Sequence, residues 1–255
     1  MTERLGRLCA AVVSVVLLTA CSSHHIAIPP SLTSVALPAA VDQMHSPASS
    51  APATTEGLQI SIIGDSFTSG THYGGWGSKN WTNLLQHSLA KAGYDVYMQR
   101  SARGGAGYRH IGPSGTTYGS EAERDINPDT KMIVFFGSDS DADSVDGLYG
   151  AVVTAINTAR QKAPGAPILV IGPGWCRASA PSQDILATRD AVRDASQTTG
   201  VTFIDPIDAD WFEQNPNNIA PDGVHPTDAG HAIIAERLLG PFLDALRTVA
   251  PPPAP

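Results

Sequence analysis

Short apolar runs alternate with longer amphipathic segments along this chain, which predicts an α/β domain on a parallel sheet covered by helices on both faces. Two further observations agree. The strand candidates are largely apolar throughout instead of on every second residue, as strands buried on both faces are. At 255 residues, 42% hydrophobic and 16% charged, the chain has enough apolar material for one medium-sized core with accessory segments.

The accessory segments come first. Arg4 and Arg7 precede an apolar run from Leu8 to Leu18, and Leu18-Thr19-Ala20-Cys21 follows, so residues 1–20 read as a signal peptide. The run is too short to cross a hydrocarbon core of about 30 Å as a helix. The small residues before Cys21 resemble a bacterial lipobox, which implies cleavage before Cys21 and its diacylation. The expected location is the outer face of the cell membrane as a lipoprotein, with plain secretion the alternative. Cleavage removes Cys9 and acylation uses Cys21, so only Cys176 remains, expected as a buried structural cysteine, and no intramolecular disulfide is possible. Residues 21–56 combine the lipidated cysteine with a Ser-, Ala-, Pro- and Thr-rich tether, in which His24, His25 and His45 read as solvated linker residues. The folded domain is expected over residues 57–249, before a proline-rich tail at 250–255.

Within the domain, strands are predicted at Leu58–Ile63, Asp95–Gln99, Lys131–Phe136, Ile168–Ile171 and Val201–Ile204. Helices are predicted at Trp81–Ala92, Ser144–Lys162, Ser182–Thr199 and Thr227–Leu246, the last kinked near Pro241. No internal repeat is present. The net charge of −8 becomes −9 once Glu3, Arg4 and Arg7 leave with the signal peptide. An acidic surface argues against nucleic acid as partner, and it leaves the lipid, not a basic patch, to hold the protein at a membrane.

Parallel sheets carry their chemistry at the carboxyl ends of the strands. The first strand candidate runs directly into Gly64-Asp65-Ser66, which places Ser66 at a strand-to-loop turn on that edge. Thr68 stands where a nucleophile elbow of the Gly-x-Ser-x-Gly kind has its second glycine, so the turn is of another type. The second element is Asp222-Gly223-Val224-His225, ahead of the last helix. A carboxylate three residues before a histidine in a glycine-containing loop can fold back onto the imidazole. It then holds the tautomer whose other nitrogen takes a proton from serine. His231, further along the helix, reads as packed or solvated.

Together these two elements resemble the SGNH, or GDSL, hydrolase family, over about Leu58 to Leu246. The resemblance implies a three-layer, flavodoxin-like fold with a five-stranded parallel sheet. It also implies esterase, lipase, thioesterase or deacetylase chemistry without metal or organic cofactor, with Ser66, Asp222 and His225 as the catalytic residues. It further implies an oxyanion hole formed by the Ser66 NH, by a glycine NH from Arg103-Gly104-Gly105-Ala106-Gly107-Tyr108, and by an asparagine side chain after the third strand. Gly107 is the expected glycine, with Gly105 the alternative. The asparagine is missing: Gly137-Ser138-Asp139-Ser140-Asp141 stands where Gly-x-Asn-Asp is expected. Ser140 is favoured over Asp139 for that position, because an ionised carboxylate repels an oxyanion and a hydroxyl can donate to it.

The acidic run Asp139, Asp141, Asp143 and Asp146 fails as a calcium loop, since Ser144 and Gly150 stand where a glycine and a glutamate are required. Solvated acids and an N-cap for the next helix are expected instead. The reading is therefore a serine ester hydrolase, expected as a monomer, acting on an envelope lipid or an O-acylated glycan ester. Tyr108, Trp76 and Trp175 are expected at the rim of its cleft. The rival readings are a non-catalytic glycan- or lipid-binding protein on the same fold and an acyltransferase.

Overall fold

A computed structural model describes residues 57–137, 139–175, 180–212 and 215–251. The segments read as a signal peptide and a tether, with Cys21, His24, His25 and His45, together with Cys176 and residues 252–255, lie outside the described residues. Strands β1 (Leu58–Gly64), β2 (Val96–Ala102), β3 (Met132–Phe136), β4 (Ile168–Ile171) and β5 (Thr202–Ile204) form one parallel sheet in the order β2-β1-β3-β4-β5. The α-helices are α1 (Ser66–Ser69), α2 (Trp81–Lys91), α3 (Tyr118–Asp125), α4 (Leu148–Lys162), α5 (Gln183–Thr199) and α6 (Asp228–Val249).

Side-chain alternation divides the core into two layers. Ile60 and Ile62 of β1, Met132, Val134 and Phe136 of β3, and Leu169 and Ile171 of β4 pack with Phe67, Trp81, Leu85, Ile234, Leu238 and Phe242, beneath α1, α2 and α6. Ile63, Ile133, Phe135, Ile168 and Val170 point the other way, toward Tyr118, Ala122, Val152, Ile156 and Val192 of α3, α4 and α5. With both faces covered, the central strands are apolar at consecutive positions: all five residues of β3 are buried. The chain leaves β1 toward β2 on one side and returns to β3 on the other, which opens a crevice beyond the carboxyl ends of these strands.

Local chemistry explains where the boundaries depart from expectation. β2 extends through Arg100, Ser101 and Ala102, polar or small residues that pair in register with Ile62, Ile63 and Gly64 of an apolar strand. Helix α3 was not expected. It is eight residues long and starts with a capping box in which Thr117 and Ser120 each bond the other's backbone NH. The acidic run does not cap the following helix: Asp139–Ser144 form a 3₁₀ turn, and α4 starts at Leu148 after Gly147, a left-handed residue with φ 77°. Helix α6 is continuous through Pro241.

Two buried polar residues lock the layer that holds α1. Asn80 donates to the Thr68 and Gly75 carbonyls and accepts from the Thr82 NH and hydroxyl, so all its hydrogen-bonding groups are used. His231 accepts through Nδ1 from the Trp81 NH at 3.4 Å, and a Cβ on Gly75 would overlap its ring. Burial lowers the His231 pKa to about 4, while Asp228 pulls it up and Arg100 pushes it down. Between about pH 6.5 and 4 the unfolded chain therefore takes up a proton that the folded chain refuses. This part of the stability is complete above that window and is lost as pH falls through it. The thermal midpoint should drop across the window, and His231→Gln should flatten the slope; the same slope in both proteins would exclude His231 as its source.

Candidate active site

Ser66 opens α1 at the carboxyl end of β1. The buried Asp65 caps this one-turn helix by accepting the Phe67 NH at 2.9 Å, which directs the Ser66 side chain into the crevice mouth. Gly137, at the end of β3, lies against Asp65 and Tyr118. Its φ of 125° and the overlap that a Cβ would create with both neighbours require glycine there. Tyr118 in turn donates its hydroxyl to the Phe136 carbonyl at 3.0 Å.

His225 arrives from the loop before α6. The Ala220 NH donates to its carbonyl at 2.8 Å, and Ile219 bridges Pro226, so the loop closes as a small hairpin. Its Nε2 lies 3.1 Å from Ser66 Oγ, and its Nδ1 lies 2.6 Å from Asp222 Oδ2. Asp222 Oδ1 accepts the backbone NH groups of Val224 and His225 at 2.9 and 3.1 Å. The four-residue loop thus uses one carboxylate oxygen to hold its own backbone and the other to orient the ring. Burial, the largest single influence, raises the Asp222 pKa, but the hydrogen bonds from the His225 ring and from the two amides together outweigh it and bring the pKa down to about 2. Above that pH the group is a carboxylate.

A side chain that the sequence did not single out joins them. Tyr73, in the turn closed by Thr71 and Gly74, stacks on the His225 ring with centroids 6.3 Å apart and planes 22° apart. That turn is latched to the start of α6, where Asp228 accepts the Gly75 NH at 3.0 Å and pairs with Lys79 at 2.6 Å. The serine and histidine sides of the site therefore share a brace.

The second block differs from expectation. The Gly107 NH donates to the His110 carbonyl at 3.1 Å, and a Cβ on Gly107 would overlap Asp141, so this glycine is a packing residue with its amide already used. Gly104 is the residue beside the serine: a Cβ placed on it would lie 3.9 Å from Ser66 Cβ. A turn closed by the Ala106 NH on the Arg103 carbonyl presents the Gly104 and Gly105 amides, with Gly105 at φ 74°. The loop beyond is held by Asp141, which is fully buried and accepts the NH groups of Tyr108, Arg109 and His110 at 2.7, 2.9 and 2.8 Å. Asp141 is thus a clamp and not the solvated acid expected.

Tyr108 is not at a rim. It is 4% exposed, packed edge-on against Tyr118 and tilted against Phe135, and burial followed by the Asp141 and Asp65 charges pushes its phenol well above the ordinary value. Trp76 is 69% exposed on the latched turn, and Trp175 is half-buried after β4. Asp139 and Ser140 are both half-buried at the start of the 3₁₀ turn. Among the described residues, no group of three or more His, Cys, Asp or Glu is placed to hold a metal.

The sequence and the fold are similar to those of known proteins. The profile of the GDSL-like Lipase/Acylhydrolase family matches residues 62–233. The GDSL lipase Rv0518 of Mycobacterium tuberculosis is 38% identical over 183 residues, covering 70% of this chain and 79% of its own. Two solved structures share the fold. TesA superposes with a TM-score of 0.57 at 18% identity, over 75% of this chain and 99% of its own. The acetyl xylan esterase AlAXEase gives 0.59 at 16%, over 72% and 99%.

Proposed function

The chain belongs to the GDSL-like lipase/acylhydrolase family and is a hydrolase of ester bonds, and on that premise we propose an acyl-enzyme mechanism carried by Ser66, His225 and Asp222. The observation that carries this reading is the unbroken run of hydrogen bonds from Ser66 Oγ through the imidazole to the Asp222 carboxylate. Ser66 Oγ attacks the ester carbonyl while His225 Nε2 takes its proton, and Asp222 stabilises the imidazolium. The charge on the carbonyl oxygen is met by the Ser66 NH at the start of α1 and by the Gly104 NH beside it, with the Gly105 amide next in the same turn. His225 then protonates the leaving alcohol, and water, activated by the same ring, releases the acid.

The proposed substrates are esters of the cell envelope, either lipids or O-acylated glycans. Names borne by similar proteins, a GDSL lipase and an acetyl xylan esterase, support keeping both classes. Hydrolysis of 4-nitrophenyl esters from acetate to palmitate by the full chain, beside Ser66→Ala, tests the mechanism. An alkyl fluorophosphonate should label Ser66 alone. Equal rates for the two proteins at every chain length would sink the reading.

The Ser140 hydroxyl is the proposed third donor to the oxyanion. Ser140→Asn should then raise kcat, and Ser140→Ala should lose up to about 3 kcal/mol of transition-state stabilisation with KM little changed. Improvement in Asp139→Asn alone would assign the position to Asp139, and no change in any of the three variants would leave the oxyanion to backbone amides. Acylation at Cys21 is proposed from the residues that precede it. Cys21→Ala should move the processed protein from the membrane fraction to the soluble fraction; membrane retention after signal removal would show another anchor.

A further inference from the structure

A cavity of about 210 Å³ is lined by Ser69, Arg100 and Ala102, residues of the segments that flank the nucleophile. Ser69 is the last residue of α1, one turn from Ser66. Ala102 pairs with Gly64, and its successor Arg103 donates its NH to the Gly64 carbonyl at 2.9 Å, just before Gly104 meets Ser66. The walls of the cavity are thus continuous with the residues that flank the serine.

Arg100 is exposed, and among the described residues its guanidinium makes no ion pair or hydrogen bond. Other arginines are used: Arg124, Arg189, Arg193 and Arg247 each hold a carboxylate. In a chain of net charge −8, acids are plentiful, yet among the described residues none is set against this guanidinium, whose donors form a planar fork suited to carboxylate or phosphate oxygens. The Ser69 hydroxyl donates to the Gly70 carbonyl at 3.1 Å and needs only to rotate to offer a second donor. The volume is below the roughly 300–1,000 Å³ of sites that enclose drug-sized ligands and suits a small charged group.

We infer that this cavity is an anion subsite, in which Arg100 selects esters carrying a carboxylate or phosphate a few bonds from the scissile carbonyl. The inference rests on the esterase reading above and adds a substrate class to it. The anionic group belongs either to the acyl part, as in a dicarboxylic acid monoester, or to the alcohol part, as in an acylated glycerol phosphate. Both offer the same oxygens to the guanidinium.

Two matched pairs of substrates test it on the full chain. The acyl-side pair is 4-nitrophenyl butyrate and mono-4-nitrophenyl glutarate. The alcohol-side pair is 1-monobutyrin and 1-butyrylglycerol 3-phosphate. In one pair kcat/KM should favour the anionic member by about tenfold or more, as one charge-assisted contact allows. Arg100→Gln should abolish that ratio, Arg100→Glu should invert it, and raising salt from about 0.05 to 0.5 M should erode it in the wild type. The responding pair identifies which part of the ester carries the charge. No preference in either pair, or one that survives Arg100→Gln, would overturn the subsite while leaving the esterase reading intact. If the wild type cleaves no ester, that reading fails on its own. Calorimetry with glutarate and inorganic phosphate then decides the subsite: binding lost in Arg100→Gln supports it, and equal or absent binding in both proteins refutes it.

Discussion

Asp222→Asn should lower kcat by about 10³- to 10⁴-fold while KM changes little. The carboxylate touches the imidazole and its own loop, so its loss acts on the base and not on substrate binding. An asparagine keeps the oxygen that accepts the Val224 and His225 amides, and the loop should hold its shape. Its NH₂ group, however, faces Nδ1 as a donor and favours the ring tautomer with hydrogen on Nε2, pointing at Ser66. That ring cannot accept the serine proton. Steady-state kinetics at neutral pH, with the thermal midpoint as a check on folding, measures the effect. A loss below about tenfold would show that Asp222 does not set the tautomer. The Asp222 pKa of about 2 also fixes a sign. The hydrogen bonds to the carboxylate stabilise the fold above about pH 3.8, and their contribution is lost as pH falls through about 2.

The largest loss of stability should come from Asp141→Ala. Removing this buried carboxylate strips three backbone amides of their acceptor, that of Tyr108 buried and those of Arg109 and His110 partly so, a cost of about 3–5 kcal/mol. For a domain of this size that lowers the melting temperature by about 10 °C. The same change frees the loop that carries the Gly104 and Gly105 amides, so activity should fall at temperatures where the protein is still folded. Asp141→Asn retains one acceptor and should be intermediate on both measures. Circular dichroism melting alongside ester hydrolysis checks this. A melting temperature within about 2 °C of the wild type would mean that the loop holds itself.

The parallel sheet was legible because strands buried on both faces leave a signature in composition alone, as the apolar run of β3 does. Ser66, Asp222 and His225 were expected as a set because Gly64-Asp65-Ser66 and Asp222-Gly223-Val224-His225 resemble two segments of one family; each segment alone signals only a turn. Their mutual distances are long-range facts that no local pattern contains. Helix α3 escaped because it is eight residues long, carries Gly119 in its first turn, and turns only Tyr118 and Ala122 as an apolar face to the core; the Thr117–Ser120 capping box was its other local sign. The sequence points to Gly107, with Gly105 the alternative, and passes over Gly104, because glycines in one short run differ only in what packs on them, and the carboxylate on Gly107 comes from the acidic run after β3. Tyr73 lies in a polar turn where an aromatic residue has no periodic context, so its stacking on His225 is visible only in three dimensions.

Helix α6 covers part of one face of the sheet, carries the latch to the Gly75 turn, and follows directly on His225. It is also the last element among the described residues. During synthesis the strand that presents Ser66 emerges long before its base, and until α6 docks, the apolar surface formed by Ile60, Ile62 and Trp81 lacks part of its cover. Placement of the proposed base and cover of the core thus depend on the same docking step, so a chain cut short before α6 should be both inactive and aggregation-prone.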